Sequence, residues 1–226
     1  MKRRIITTKD GSKTIHIDEW NEQYHSVHGA IQEARHVFIK HGLHHVMAQQ
    51  EEQALSILEI GFGTGLNAFL TCLEGENANC NINYVGVEAY PVGLEELSQL
   101  NYVEQLSAQS QQEAFNAMHT TPWEKSAAIS ERFTLTKVEA FFKDIAYNQT
   151  FDLVYFDAFG ARVQPELWEV SIFKLMFNAL KTNGVLVTYS AKGSARRAMQ
   201  EVGFFVEKLP GPPGKREMLR AERKAL

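Results

Sequence analysis

The chain has 226 residues, 44% of them hydrophobic and 22% charged, with a formal net charge of −4. These values suit one sizeable globular domain and exclude disordered and bulk-polycation classes. No apolar run approaches the ~20 residues a membrane span needs, and "MKRRIITTKDG" lacks the apolar core of a signal peptide. Cys72 and Cys80 are too few for a disulfide framework and read as free thiols of a reducing, cytoplasmic protein. His36, His41, His44 and His45 crowd one segment without metal-ligand spacing, so no metal is expected. Charge is unevenly spread: residues 192–226 carry +5, leaving −9 on the other 191. A basic face on an acidic body is suited to placing a phosphate backbone.

In chain order, "RRIITT" and "KTIHID" predict a β-hairpin turning at Asp10-Gly11. "GAIQEARHVFIKHGL" (29–43) predicts a helix capped by its glycine. Residues 1–50 read as an N-terminal extension, hairpin and helix, covering the active site; residues 51–226 read as the main domain. There, strands alternate with helices: "LSILEIGF" (55–62), "INYVGVEA" (82–89), "RFTLTKVEA" (132–140) and "FDLVYFDAF" (151–159) are strands. The last is apolar on both faces, as a central parallel strand is. "PELWEVSIFKLMFNALK" predicts one long helix, followed by a turn at Asn183-Gly184 and the strand "VLVTYS". "SARRAMQEVG" is a further helix. Strands 204–210 and 217–223 are too close for a helix between them and must pair antiparallel. The fold class is therefore α/β, a mostly parallel Rossmann-like sheet closing in an antiparallel hairpin, as in class I methyltransferases.

The segment "EIGFGTGLNAFL" joins the first strand of this domain to a helix. A dinucleotide fingerprint requires G-x-G-x-x-G. Here Gly61, Gly63 and Gly65 give G-x-G-x-G, with Leu66 where the third glycine would stand. That pattern suits S-adenosylmethionine better, with glycines expected to keep the ligand's volume free of Cβ atoms. Glu88, 23 residues past Gly65 at a strand tip, is placed to accept hydrogen bonds from ribose hydroxyls. Dehydrogenases use the same device, so Glu88 indicates adenosine without choosing among ligands. Asp157, at the tip of an apolar strand, is expected to be partly desolvated, with its carboxyl pushed upward. It could hold an amine, take its proton and lie near a sulfonium. Pro165 then opens the next helix.

These stretches, with "NEQYHSVHGAIQEARHVFIKHGL", "FDAFGARVQPELW" and "GKREMLRA", resemble a known family. It is the methyltransferase domain that completes 5-methylaminomethyl-2-thiouridine at the tRNA wobble position. In some bacteria this domain is fused to an FAD-dependent oxidoreductase and in others it stands alone; the chain's length resembles the stand-alone form. The resemblance implies methyl transfer from S-adenosylmethionine to an exocyclic aminomethyl nitrogen, with a tRNA anticodon as partner. It also implies a separate enzyme to supply the aminomethyl-uridine. By the same resemblance Glu59, Gly61, Phe62, Gly63, Thr64, Gly65 and Asn67 line the cofactor site and Glu88 holds the ribose. Asp157 faces both methyl donor and amine, and Tyr24 closes the pocket. Phe159, Pro165 and Trp168 shape the substrate wall. Arg196, Arg197, Lys215 and Arg216 are candidates for tRNA phosphates.

Two departures stand out. The family's Phe-Ala-Pro is Phe159-Gly160-Ala161 here, and Phe141 occupies the place of an acidic residue for the adenine amino group, leaving Glu139 or Asp144 as substitutes. Three other readings share much of this evidence: a methyltransferase for a small-molecule amine, a spermidine-synthase-like aminopropyl transferase, and a non-catalytic RNA-binding module.

Overall fold

A computed structural model of the chain describes residues 2–49 and 54–225. The boundary expected at residues 50 and 51 lies outside the described residues. Strands β1 (Arg3–Thr7) and β2 (Lys13–Ile17) form the expected hairpin, and a short β3 (Glu22–Gln23) extends it into a three-stranded antiparallel sheet. The main sheet has eight strands: β4 (Ala54–Ile60), β5 (Asn81–Glu88), β6 (Ser126–Ala128), β7 (Phe133–Glu139), β8 (Phe151–Phe156), β9 (Leu180–Thr188), β10 (Phe205–Pro210) and β11 (Glu217–Glu222). Their spatial order is β10-β11-β9-β8-β4-β5-β7-β6. β4, β5, β7, β8 and β9 run parallel. β11 is antiparallel to β9, and β10 to β11, as the short Gly/Pro loop between them demands. The short edge strand β6, antiparallel to β7, was not expected.

Register places the site. Ile60 of β4 stands opposite Val87 of β5 and Phe156 of β8. The next residues of all three strands, Gly61, Glu88 and Asp157, therefore emerge side by side at one edge of the sheet. β5 lies on one side of β4 and β8 on the other, so strand order reverses there. Open α/β sheets bind ligands at such a point. Side chains alternate across the sheet: Ile57, Tyr84, Leu153 and Tyr155 fall in one apolar cluster, Leu58, Ile60, Val154 and Phe156 in the other. Every residue of β8 is buried, in keeping with its central position. Among the described residues no helix is long and apolar enough to cross a membrane.

Two helices end differently from expectation, both because of tertiary packing. The helix beginning at Ala30 does not stop at Gly42. It widens over Arg35–Leu43 to a π-type turn and continues through His44–Met47. Gly42 is buried and sits against the sheet: a Cβ there would stand 3.0 Å from Val187 Cγ2 and 3.2 Å from Tyr155 Cε1. Its missing side chain admits the sheet rather than ending the helix. The long helix expected from Pro165 is broken. Pro165–Trp168 forms a 3₁₀ turn, Glu169 is extended, and the α-helix runs Val170–Ala179. At the break Trp168 turns into the core against Phe156 and Phe173, and its indole N–H donates to the Phe159 carbonyl at 2.8 Å.

Replacing Gly42 by valine is expected to destabilise the fold by about 1–3 kcal/mol through overpacking, measured by urea unfolding. An unchanged midpoint would contradict the close helix–sheet approach.

Candidate active site

The loop leaving β4 is tied down from both neighbouring strands. Gly61 and Phe62 donate backbone N–H groups to the Val87 carbonyl at 3.0 and 3.1 Å, and Asp157 donates its own to Ile60 at 2.9 Å. Gly61 has φ 91°, and a Cβ on it would stand 2.7 Å from the Asp157 carbonyl oxygen. Gly63 has φ 50°, and its Cβ would meet the Tyr24 ring at 3.0 Å. These glycines clear space for the protein's own strand end and covering ring, a correction to the expectation that they clear the ligand's volume. Gly65 lies behind the loop against His119, at the start of the helix Leu66–Asn77.

A cavity of about 790 Å³ opens over this edge, within the size of small-molecule sites. Glu59, Gly61, Phe62, Gly63, Thr64, Asn67, Glu88, Asp157, Tyr24 and Phe159 all line it. At its floor Asn67, 1% exposed, donates from Nδ2 to Glu59 Oε1 at 2.9 Å and to Asp157 Oδ2 at 2.8 Å. Burial pushes the Asp157 carboxyl up to about 7, with the Glu33 carboxylate adding to the rise and the Asn67 bond and Lys215 ammonium opposing it. Burial also raises Glu59 well above the ordinary carboxylate range, against the pull of the Asn67 bond.

Glu88 accepts backbone N–H groups of Gly63 and Tyr90, one per oxygen, each at 3.0 Å. A carboxylate has about four acceptor sites, so both oxygens keep capacity for a diol. Thr64 is held by the neutral His25 ring, Nε2 to Oγ1 2.7 Å, and by the Tyr102 hydroxyl at 3.2 Å. Burial pulls His25 down to about 4.

The first sheet and its following loop form the cover. Phe159 meets Tyr24 and Trp20 edge-on, with centroids 5.0 and 5.3 Å away. Arg162 fastens this contact by donating to the carbonyls of Trp20 and Asn21 and to Glu22, at 2.9–3.0 Å. Arg3 ties β1 to the far rim through Glu96 at 3.1 Å.

Other expected residues lie elsewhere. Trp168 and Pro165 stand outside the lining, and Trp168 braces Phe159 from behind. Arg196, Arg197 and Arg216 are not part of the wall; Arg197 and Arg216 are exposed. Lys215, expected on a phosphate, instead lines the cavity and is ion-paired with Glu33. Neither Glu139 nor Asp144 is among the lining residues; Phe141, Phe142 and Lys143 are. Trp20, His25, Glu33 and Tyr189 also line the cavity, none of them singled out by the sequence. Glu33 alone left a signal, a carboxylate on the apolar stripe of Ala30, Ala34 and Val37.

A loop, a strand-tip carboxylate and a buried acid at the switch point of this sheet make a site suited to a nucleoside-bearing ligand. A sequence profile of S-adenosyl-L-methionine-dependent methyltransferases matches residues 101–224, and the chain belongs to that family. It is 30% identical over 226 residues to the "tRNA 5-methylaminomethyl-2-thiouridine biosynthesis bifunctional protein MnmC" of Cupriavidus metallidurans, covering 94% of this chain and 33% of that protein. With the Burkholderia mallei protein of the same name identity is 31%, covering 96% and 35%. The chain thus spans about a third of the length of these relatives. Among solved structures, MnmC2 from Aquifex aeolicus superposes with TM-score 0.76 at 24% identity, covering 100% of this chain and 72% of that one. Spermidine synthase from Thermotoga maritima gives 0.60 at 14%, covering 99% and 69%. Both structural likenesses concern the fold.

The family's cofactor is S-adenosylmethionine, and the residues present fit it. Among the described residues Asn67 Oδ1 is a buried acceptor without a hydrogen-bond partner, beside two carboxyls, a setting suited to an ammonium group. Glu88 is available to the ribose, and Phe62, Ala89, Phe141 and Phe142 offer apolar wall to the adenine.

Because the folded state holds the Asp157 proton to about pH 7, against an ordinary 3.8, that group's stabilising contribution is complete below about pH 4 and lost through pH 7. Asp157→Asn is therefore expected to raise Tm relative to wild type by an amount that grows from about pH 4 to about pH 7 and levels off above that. A pH-independent difference would contradict the raised proton affinity.

Proposed function

We propose that the chain methylates the exocyclic aminomethyl nitrogen of 5-aminomethyl-2-thiouridine at the tRNA wobble position, giving the 5-methylaminomethyl form. The observation that carries this reading is Asp157, a carboxyl held near neutral proton affinity in the cavity of a methyltransferase. The names of the curated relatives support the choice of tRNA as substrate.

S-adenosylmethionine, when bound, supplies a methyl group on a positively charged sulfonium, already a strong electrophile. The amine must then be neutral and aligned. Asp157 is suited to hold the amine and take the proton it loses as the new N–C bond forms. Its affinity near 7 lets it be ionised at working pH yet basic enough to accept a proton. Asn67 fixes the Asp157 carboxyl in orientation through Oδ2, so little rearrangement is needed when the amine arrives. Tyr24, Trp20 and Phe159 offer an aromatic wall to an unstacked uridine and keep water from the transfer. In this reading residues 1–50 are the cover of the site. Arg197 and Arg216, with Arg196, are candidates for backbone phosphates outside the cavity.

A second reading has one observation in its favour. The cavity carries Glu22, Glu33, Glu59 and Asp157, an acidic lining that would also suit a polyamine, as in an aminopropyl transferase.

The deciding assay incubates the protein and S-adenosylmethionine with tRNA from cells lacking the final wobble methylation, then measures digested nucleosides by mass spectrometry. Conversion of the aminomethyl nucleoside to its methylamino form is expected, with a rate that climbs as pH rises through about 7 and Asp157 ionises. Asp157→Asn is expected to bind the cofactor nearly unchanged and lose about 10²–10⁴-fold in turnover. No conversion by a cofactor-binding protein would overturn the proposal. Aminopropylation of putrescine with the decarboxylated cofactor would establish the second reading.

A further inference from the structure

Two charged cavity residues have no part in the mechanism above. Glu33, on the helix Ala30–Ala34, has a side chain 8% exposed; Lys215, in the loop between β10 and β11, is 32% exposed. Lys215 Nζ reaches Glu33 Oε2 at 2.5 Å, and the other Glu33 oxygen accepts the Ser26 N–H at 3.2 Å. The Lys215 ammonium also lies 3.8 Å from the centre of the Tyr189 ring. The Tyr189 hydroxyl in turn donates to the Ala158 carbonyl at 2.8 Å, one residue beyond Asp157. The pair is thus docked, through an aromatic ring, onto the strand end that carries the acid.

A buried ion pair is weak as a stabilising device, because desolvation offsets its attraction. This one joins the helix before the main sheet to a loop 182 residues later, inside the cavity. Its two charges act on Asp157 in opposite senses, the Glu33 carboxylate favouring the protonated acid and the Lys215 ammonium the ionised one. The other polar groups coupled to Asp157 are Glu59 and Tyr84 from β4 and β5, the Asn67 amide and the Tyr189 hydroxyl. None of these is a cation.

We propose that Glu33 and Lys215 are positioning residues for Asp157: docked through Tyr189, the pair presents opposite charges to that carboxyl and fixes the charge it offers to the incoming amine. The inference rests on amine methylation as the reaction. Neither residue needs to touch the substrate. The intact pair leaves Asp157 poised for proton acceptance, whereas loss of Glu33 tips it towards ionisation and loss of Lys215 towards protonation.

The test is a carbon NMR titration of the Asp157 carboxyl in the protein without added cofactor, its signal assigned by Asp157→Asn. Glu33→Gln is expected to lower the midpoint and Lys215→Met to raise it, each by about half a pH unit or more. The double variant, neutral at both positions, is expected to fall between the two single variants. Glu33→Asp and Lys215→Arg keep the charges and serve as folded controls with the wild-type midpoint. In single-turnover methyl transfer the acid limb of the pH–rate profile should move with the midpoint in each variant, while cofactor affinity stays within a few-fold. Coincident midpoints, or shifts of the same sign in both single variants, would overturn the proposal and leave the pair a structural strut. If the wild-type protein methylates no tRNA nucleoside, the kinetic arm fails together with the proposed function, and the carboxyl titration alone decides the role of the pair.

Discussion

One side-chain amide holds the site together. Asn67 donates both of its N–H groups, one to Glu59 and one to Asp157, two carboxyls brought side by side by the parallel register of β4 and β8. Two ionised carboxylates that close in a desolvated place would repel. Hydrogen bonding from a common donor, with proton affinities raised by burial, lets both remain. The same amide leaves its own oxygen without a donor at the cavity floor. An acidic floor with a buried, unsatisfied acceptor suits a cationic ligand, and it follows from three residues at the ends of two strands and the start of one helix.

The cover has a comparable economy. The small N-terminal sheet reaches across the strand tips, held at one end by Arg3 to Glu96 and at the other by Arg162 to the Trp20–Glu22 turn. Tyr24 then lies against Gly63 with no room for a Cβ between them. The glycine loop is therefore shaped as much by the strand end beneath it and the ring above it as by any ligand. The aromatic contact of Phe159 with Trp20 and Tyr24 closes the roof, and Trp168 supports Phe159 from the core side.

What could be read from the sequence was whatever has a local pattern. Strand–helix alternation, the largely apolar "FDLVYF" and the short loop before the last strand were enough for a mostly parallel sheet with an antiparallel end. The spacing of Gly61 and Gly63, with Glu88 and Asp157 at strand tips, was enough to find the sheet edge over which the cavity opens, while Gly65 falls outside its lining. What escaped depends on contacts distant in sequence. Gly42 looks like a cap in one dimension and is a packing position in three. Trp168 sits in a helical pattern, yet its burial accompanies a break between two helical segments. Lys215 reads as a surface cation until Glu33 is found beside it. Glu33 itself has meaning only once its carboxylate is seen to line the cavity while Ala30, Ala34 and Val37 pack into the core.

The most direct measurement is a crystal structure with sinefungin, a cofactor analogue that carries an amine where the sulfonium methyl would be. Its ribose diol is expected on Glu88, its amino-acid ammonium at the Glu59–Asn67 floor and its added amine within hydrogen-bond distance of Asp157. A ligand bound with that amine facing away from Asp157, or seated outside the Gly61–Gly63 loop, would contradict this arrangement.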